Sequence, residues 1–214
     1  MKKVVYFVRH GQSEGNIGNV FQSVESPLSE VGLKQAEYIA NRVSNISFER
    51  LIASPVMRAK QTAEIISKKT GKLIEFSDLF VERIKPSNLS GKPHSDEQAN
   101  KLNDEWSRSL FNSNYKAENG ENFDEIIKRA DLALKYLENL KEEKILVVTH
   151  GFFLKVLISS VLFGESITGK ELGRFVLRAG MANTGLTVLA FDDKLEDPSW
   201  RLLTWNDKAH LGEF

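Results

Sequence analysis

Two histidines in this 214-residue chain stand at the end of a short apolar run and just before a glycine. They are His10 in Val8-Arg9-His10-Gly11 and His150 in Val148-Thr149-His150-Gly151. A third apolar run, Leu51-Ile52-Ala53, ends in Ser54-Pro55 and brings up Arg58 one helical turn later. If these runs are neighbouring strands, two imidazoles and the guanidinium groups of Arg9 and Arg58 meet in one crevice. Such a cluster repels itself unless an anion neutralises it. Phosphate fits, because guanidinium forks bind its oxygens bidentately and loop N–H groups add to that. The loop from Arg9 to Asn16 supplies small residues for close backbone approach, with Gln12, Ser13 and Asn16 as neutral donors. No carboxylates cluster in a metal-binding pattern, so arginine is expected to carry the charge, with no metal and no cofactor.

The elements that must position these groups can be read from periodicity. Val4 to Val8 is continuously apolar and β-branched, which suits a strand covered on both faces. Ser29 is placed to cap a helix carrying Leu33, Ala36, Ile39, Ala40 and Val43. Pro55 suits the first position of a helix that carries Ala59, Ala63 and Ile66 and stops at Gly71. Lys72 to Phe76 reads as a strand, and residues 77–120 as irregular apart from a helix near Glu97 to Leu110. A long helix follows, with Phe123, Ile126, Ile127, Ala130, Leu134 and Leu137 on one stripe. Ile145 to Val148 is a buried strand, Phe152 to Phe163 a core helix, and Leu186 to Phe191 and Trp200 to Trp205 closing strands. Strands alternating with helices imply an α/β fold, a mostly parallel central sheet with helices on both faces. No repeat or low-complexity linker interrupts it, so residues 1–214 are expected to form one domain, with 77–120 as an inserted cap over the sheet. Ligands in such sheets gather beyond the carboxyl ends of the strands, where both histidines fall.

Composition narrows the function classes. The 29 Lys and Arg cancel the 29 Asp and Glu, so no global field favours nucleic acid or an anionic membrane. Cysteine is absent, which removes disulfide frameworks, thiolate metal sites and a cysteine nucleophile. The run after Met1-Lys2-Lys3 is too short for a secretory signal, and a cytoplasmic protein is expected. Gly164 to Glu171 nearly matches a phosphate-binding P-loop, but Glu171 cannot supply the Mg²⁺-binding hydroxyl.

Arg9-His10-Gly11-Gln12-Ser13-x-x-Asn16 resembles the R-H-G-x-[ST]-x-x-N signature of the histidine phosphatase superfamily, also called phosphoglycerate mutase-like. Ser54-Pro55-x-x-Arg58-Ala59-x-Gln61-Thr62-Ala63, Leu79-x-x-Glu82-Arg83 and Thr149-His150-Gly151 follow in that family's order, and Asn183-Thr184-Gly185 resembles its late N-[ACST] step. The resemblance runs from Val4 to about Phe191. It implies a phosphoglycerate mutase-like fold with His10 as nucleophile and Arg9, Arg58 and His150 stabilising the phosphoryl oxygens. Glu82 would be the general acid and base. Gln12, Ser13, Asn16, Arg83, Gly151 and Asn183 would contact phosphate or substrate. Lys85, Ser87 and Asn88 join Arg83 as candidate substrate-facing residues, and Leu102, Trp106, Leu110, Phe111 and Tyr115 as candidate cap residues.

The expected partner is a small phosphorylated metabolite, hydrolysed through a phosphohistidine. The alternatives are a 2,3-bisphosphoglycerate-dependent mutase and a phospho-ligand-binding module without catalysis. Residues 106–115 lack the basic, proline-rich pattern of the mutases, and Val20 stands where they often carry arginine, which favours the phosphatase. His94 and His210 lie outside any motif and read as surface residues. The motifs say nothing of subunit number.

Overall fold

The apolar run Ile145-Leu146-Val147-Val148 shows how the core is divided. Ile145 and Val147 join one buried cluster, while Leu146 and Val148 join another on the opposite face of the sheet. A strand covered on both faces needs no polar alternation, which is why this run is continuously apolar. The computed structural model describes residues 1–111, 115–195 and 199–212, apart from the side chain of residue 16. The run Asn112-Ser113-Asn114, part of the irregular and mutase-distinguishing stretch, therefore lies outside the described residues.

In chain order the elements are β1 (Lys2–Arg9), α1 (Glu14–Ile17), α2 (Glu30–Val43), β2 (Arg50–Ala53), α3 (Met57–Thr70) and β3 (Ile74–Phe76). They continue with α4 (Glu97–Arg108), α5 (Phe123–Asn139), β4 (Lys144–Thr149), α6 (Gly151–Phe163), α7 (Gly169–Arg178), β5 (Leu186–Asp192) and β6 (Trp200–Asp207). The six strands form one sheet in the order β3-β2-β4-β1-β5-β6. The first four of these run parallel, and β5 and β6 close the sheet antiparallel. Helices α5 and α6 cover one face with Ile126, Ala130, Leu137, Phe153, Leu154 and Leu157. Helices α2 and α3 cover the other with Ile39, Val43, Ala59, Ala63 and Ile66. Truncating a side chain as large and enclosed as Phe153 typically costs about 3–5 kcal/mol.

Local signals set most of the element ends. Ser29 caps α2 by accepting from the Gly32 N–H, and Asn122 and Glu125 form a reciprocal capping box at α5. Gly71 ends α3 in the left-handed region at φ 71°. Three details differ from the sequence reading. Helix α3 begins at Met57, because Ser54 Oγ accepts the Val56 N–H and Pro55 lies in the turn that precedes the helix. Leu33 is exposed and Gly32 takes the buried place, since α2 presses its first turn against the loop after β1. Helix α7 was not anticipated. It starts with a capping box of Thr168 and Glu171, so the glutamate that disqualifies the P-loop is a helix-start residue.

Candidate active site

The strand ends meet as their register requires. Arg9 lies opposite Thr149 on adjacent β1 and β4, and Ala53 lies opposite Val148 on adjacent β2 and β4. One further bond on each side extends the ladder into the loops: His10 N–H to the Thr149 carbonyl (2.9 Å) and Ser54 N–H to the Val148 carbonyl (3.0 Å). The rings of His10 and His150 consequently stand with centroids 5.0 Å apart, tilted by 59°. Both are buried.

The hydrogen bonds fix how the rings are protonated. His10 Nδ1 lies 2.6 Å from the Gly11 carbonyl oxygen, which can only accept, so Nδ1 carries the proton. Its Nε2 then has a free lone pair, and that lone pair accepts from Arg58 Nε at 3.1 Å. Burial pushes the pKa of His10 well below 6.5, and the Arg58 and Arg9 charges push it further, so the ring is neutral near pH 7. His150 Nε2 lies 2.8 Å from Ser54 Oγ. Among the described residues His150 Nε2 is the one acceptor within reach of the Ser54 hydroxyl proton, whose oxygen accepts from Val56, so that proton goes to Nε2 and the His150 proton sits on Nδ1. Burial, followed by coupling to the neighbouring His10 ring and by the Arg58 charge, likewise lowers the His150 pKa. Burial also lowers Arg58, to about 10.

Arg9 reaches the Met181 carbonyl through Nη1. Its guanidinium lies against Gly151, where a Cβ would come within 3.0 Å of Arg9 Nε. Among the described residues, Arg9 Nε and His150 Nδ1 are buried without a hydrogen-bond partner. A buried donor left unsatisfied costs about 1–3 kcal/mol. Two such donors beside a neutral imidazole are what an oxyanion would satisfy.

Glu82 sits on an irregular segment beyond β3, within electrostatic reach of Arg9 and Arg58. Its carboxylate caps α6: Oε1 accepts from Phe153 N–H (2.8 Å) and Arg83 N–H (3.0 Å), and Oε2 accepts from Phe152 N–H at a longer 3.3 Å. Asn183 donates from its side-chain amide to the His10 carbonyl at 3.0 Å, so it braces the His10 backbone.

Other expected contacts point elsewhere. Arg83 does not reach the pocket. Through Nε and Nη2 it donates to the carbonyls of Trp106 and Glu121 and to Ser109 Oγ, with its guanidinium 4.0 Å over the Trp106 ring and 5.7 Å from the Phe152 ring of α6. Ser87 and Asn88 bond to Asn119 and Glu118 at the exposed surface. Gln12 Oε1 accepts from Ser29, and Ser13 Oγ accepts from Gln22, so the bonds these two make here brace the loop. The Asn16 side chain lies outside the described residues. Leu110 is buried in the main core and Phe111 is largely exposed, lying against Gly173.

A profile of the histidine phosphatase superfamily (branch 1) matches residues 5–208. The chain belongs to this superfamily. A relative from Shigella boydii, named "Probable phosphoglycerate mutase GpmB", is 31% identical over 214 residues, covering 97% of this chain and 94% of its own. Among solved structures, Bacillus stearothermophilus YhfR superposes with a TM-score of 0.82 at 23% identity, covering 98% of this chain and 99% of that one. A mycobacterial glucosyl-3-phosphoglycerate phosphatase in complex with VO3 gives 0.75 at 22% identity, covering 96% and 100%. These likenesses match the α/β architecture described above.

Several residues of this histidine phosphatase site carried no signal of their own. Thr62 Oγ1 accepts from Gly11 N–H and donates to the Arg58 carbonyl, tying the loop after β1 to α3. Arg129, on α5, donates to the carbonyls of Leu79, Val81 and Glu82 and forms a buried pair with Glu121. Thr184 is buried at φ +56°, a left-handed conformation that a β-branched residue rarely adopts. Its N–H donates to the Arg9 carbonyl at 3.0 Å, and its hydroxyl lies 3.0 Å from His210 Nε2. His210 is therefore not a free surface residue. It is half-buried between Thr184 and Arg42, and burial, with the Arg42 charge, lowers its pKa to about 4. Thr62 and Thr184 lie inside recognised motifs, and nothing in the sequence distinguishes Arg129 or His210.

Proposed function

We propose that this chain is a phosphomonoesterase acting on a small phosphorylated metabolite through a phosphohistidine on His10. One observation carries the reading: His10 Nε2 holds a lone pair on a neutral ring, beside two buried donors, Arg9 Nε and His150 Nδ1, that lack a partner among the described residues. In the first step Nε2 attacks phosphorus and the ester P–O bond breaks. The leaving oxygen takes a proton from Glu82. Arg9, Arg58 and His150 hold the phosphoryl oxygens as charge redistributes. In the second step Glu82, now a carboxylate, takes a proton from water; the water oxygen attacks phosphorus and the P–N bond breaks. Phosphate leaves and the imidazole returns to its neutral form.

The weaker Oε2 bond to Phe152 makes that oxygen the one to turn towards the leaving group, while Oε1 keeps its hold on α6. Gly151 leaves room for Arg9, and Asn183 holds the nucleophile's backbone. Segment 77–120 is assigned as a cap inserted in a single domain, because it carries Glu82 and is tied to the rest by side chains. Charge neutralisation by arginine makes the reaction independent of added metal.

The test is phosphate release from an aryl phosphate in excess chelator, with His10→Ala as blank and an acid quench to look for phosphohistidine. Activity that depends on metal, or that survives in His10→Ala, overturns the mechanism. The mutase reading draws support from the name of the Shigella relative. Interconversion of the two monophosphoglycerates faster than phosphate release would establish it. Phosphate binding without any phosphohistidine would establish a binding module.

A further inference from the structure

His210 takes no part in the two steps above, yet its bonds lead to the residues that do. Arg42 Nη1, which can only donate, lies 3.2 Å from His210 Nδ1, so that nitrogen holds a lone pair and the ring proton sits on Nε2. Nε2 lies 3.0 Å from Thr184 Oγ1, whose own proton goes to the Asn183 carbonyl at 2.8 Å. The Nε2 proton is therefore donated to the Thr184 hydroxyl oxygen. Both bonds need a neutral ring. Burial, followed by the charge of Arg42 on α2, keeps it so near pH 7, against the pull of Asp207 at the end of β6.

Thr184 is where these bonds meet the phosphate end of the site. Its N–H donates to the Arg9 carbonyl at 3.0 Å and to the His10 carbonyl at a longer 3.4 Å. Its neighbours join in. The Met181 carbonyl accepts from Arg9 Nη1, the Asn183 amide donates to the His10 carbonyl, and the Gly185 carbonyl accepts from the Arg9 N–H at 3.3 Å. Residues 181–185 thus hold both the backbone of Arg9 and His10 and the Arg9 guanidinium.

That segment precedes β5 and must itself be held. Thr184 sits at φ +56°, and a β-branched residue stays in such a conformation only where its surroundings over-determine it. Two side chains from the end of the chain supply the hold. Asn206 Oδ1 accepts from the Ala182 N–H at 2.8 Å, and His210 grips the Thr184 hydroxyl. His210 is in turn fixed by Asp207, which pairs with Arg42 and accepts from the Ala209 N–H at 2.9 Å, seating the turn Ala209–Leu211 against α2. A clamp that only sealed this turn onto α2 would need the Arg42 bond and no hydroxyl partner.

We infer that His210 is a positioning residue for the reaction: by holding the left-handed Thr184 it fixes the carbonyls of Arg9 and His10, and with them the line along which His10 Nε2 meets phosphorus. The inference rests on the phosphate-ester reading and adds to it a residue that touches neither substrate nor His10. The competing role for His210 is the clamp, which contributes stability alone.

Three variants separate the two roles. His210→Leu removes both bonds, His210→Gln keeps an amide that can donate to Thr184 and accept from Arg42, and Thr184→Ala removes the hydroxyl without the β-branch that resists a left-handed backbone. Turnover of an aryl phosphate and vanadate affinity are measured on folded protein, with the urea midpoint followed alongside. His210→Leu should lower kcat roughly 10–100-fold, as a displacement of a reacting atom by up to about 1 Å does, with a smaller change in KM, and should weaken vanadate by a similar factor. His210→Gln should restore most of both. Thr184→Ala should match His210→Leu, and the double variant should lose no more than either alone, since one acts through the other. A change confined to KM or to the urea midpoint, a Gln variant no better than Leu, or losses that multiply in the double variant would each overturn the inference. If His210→Leu does not fold, Thr184→Ala decides: wild-type kcat and vanadate affinity in that variant reject the positioning role. Hydrolysis indifferent to both positions sinks this inference alone. Vanadate binding that depends on both, without hydrolysis of any ester, sinks the phosphatase reading alone, and absence of both activities sinks the two together.

Discussion

The proposed nucleophile and the proposed acid are held in place by different physics. His10 and His150 follow directly from paired strands, and the sheet ladder continues one bond beyond each strand end to set them. Glu82 has no strand beneath it. Its segment hangs from Arg129, which binds three of its carbonyls, from the Arg129–Glu121 pair, and from Arg83 reaching across to Trp106. Main-chain pairing between apolar strands tolerates many sequences. A segment that depends besides on three named charged side chains tolerates fewer. The phosphate end is therefore expected to be robust, and the acid end tunable and easily lost.

The sharpest test of that contrast is His10→Ala, which should lower turnover by at least about 10⁴-fold, as loss of a nucleophile does, while the urea midpoint barely moves. Glu82→Gln should slow phosphate release by roughly 10²–10⁴-fold. It should leave vanadate binding near the wild-type value, because the phosphoryl oxygens are held by other groups. Arg129→Met leaves Glu121 buried without its cation and should destabilise the fold by about 3–5 kcal/mol, read from urea unfolding. If turnover in Arg129→Met falls no further than stability accounts for, the suspended-segment picture is wrong.

A fourth test uses acid. His10, His150 and His210 all have pKa values below 6.5 in the folded chain, the last at about 4. Below pH 6.5 the unfolded chain takes up protons that the folded chain refuses, so stability is full above that pH and falls as the pH drops towards 4. His210→Gln should flatten part of this slope in the urea midpoint measured against pH. The smallest effect is expected from Asn122→Ala, about 1 kcal/mol for a lost cap on α5.

Sequence alone showed the phosphate end because each element of it leaves a local mark. Apolar β-branched runs announce strands, and the residues just after them must cluster once the strands pair. The cap of α2 at Ser29 and the stop at Gly71 are equally local. The acid end left Glu82 visible but hid its supports. Arg129 reads as one more charge on an amphipathic helix, and the carbonyls it binds lie 47 to 50 residues earlier in the chain. The expected role of Arg83 failed for the same reason: nothing nearby says which way a charged side chain will face. Helix α7 was missed although Thr168-x-x-Glu171 carries its start signal, because the apolar stripe that follows it is short.

The bond from Arg58 Nε to the lone pair of His10 has a kinetic meaning. On the proposed mechanism the attacking atom is engaged in the resting protein, and water or a neutral alcohol gives the arginine no reason to let go. Only an oxyanion offers it a better acceptor, so the incoming group unmasks the very nitrogen that will attack it. Idle chemistry at that imidazole, including its alkylation by uncharged electrophiles, should be slow until an anion has displaced the guard.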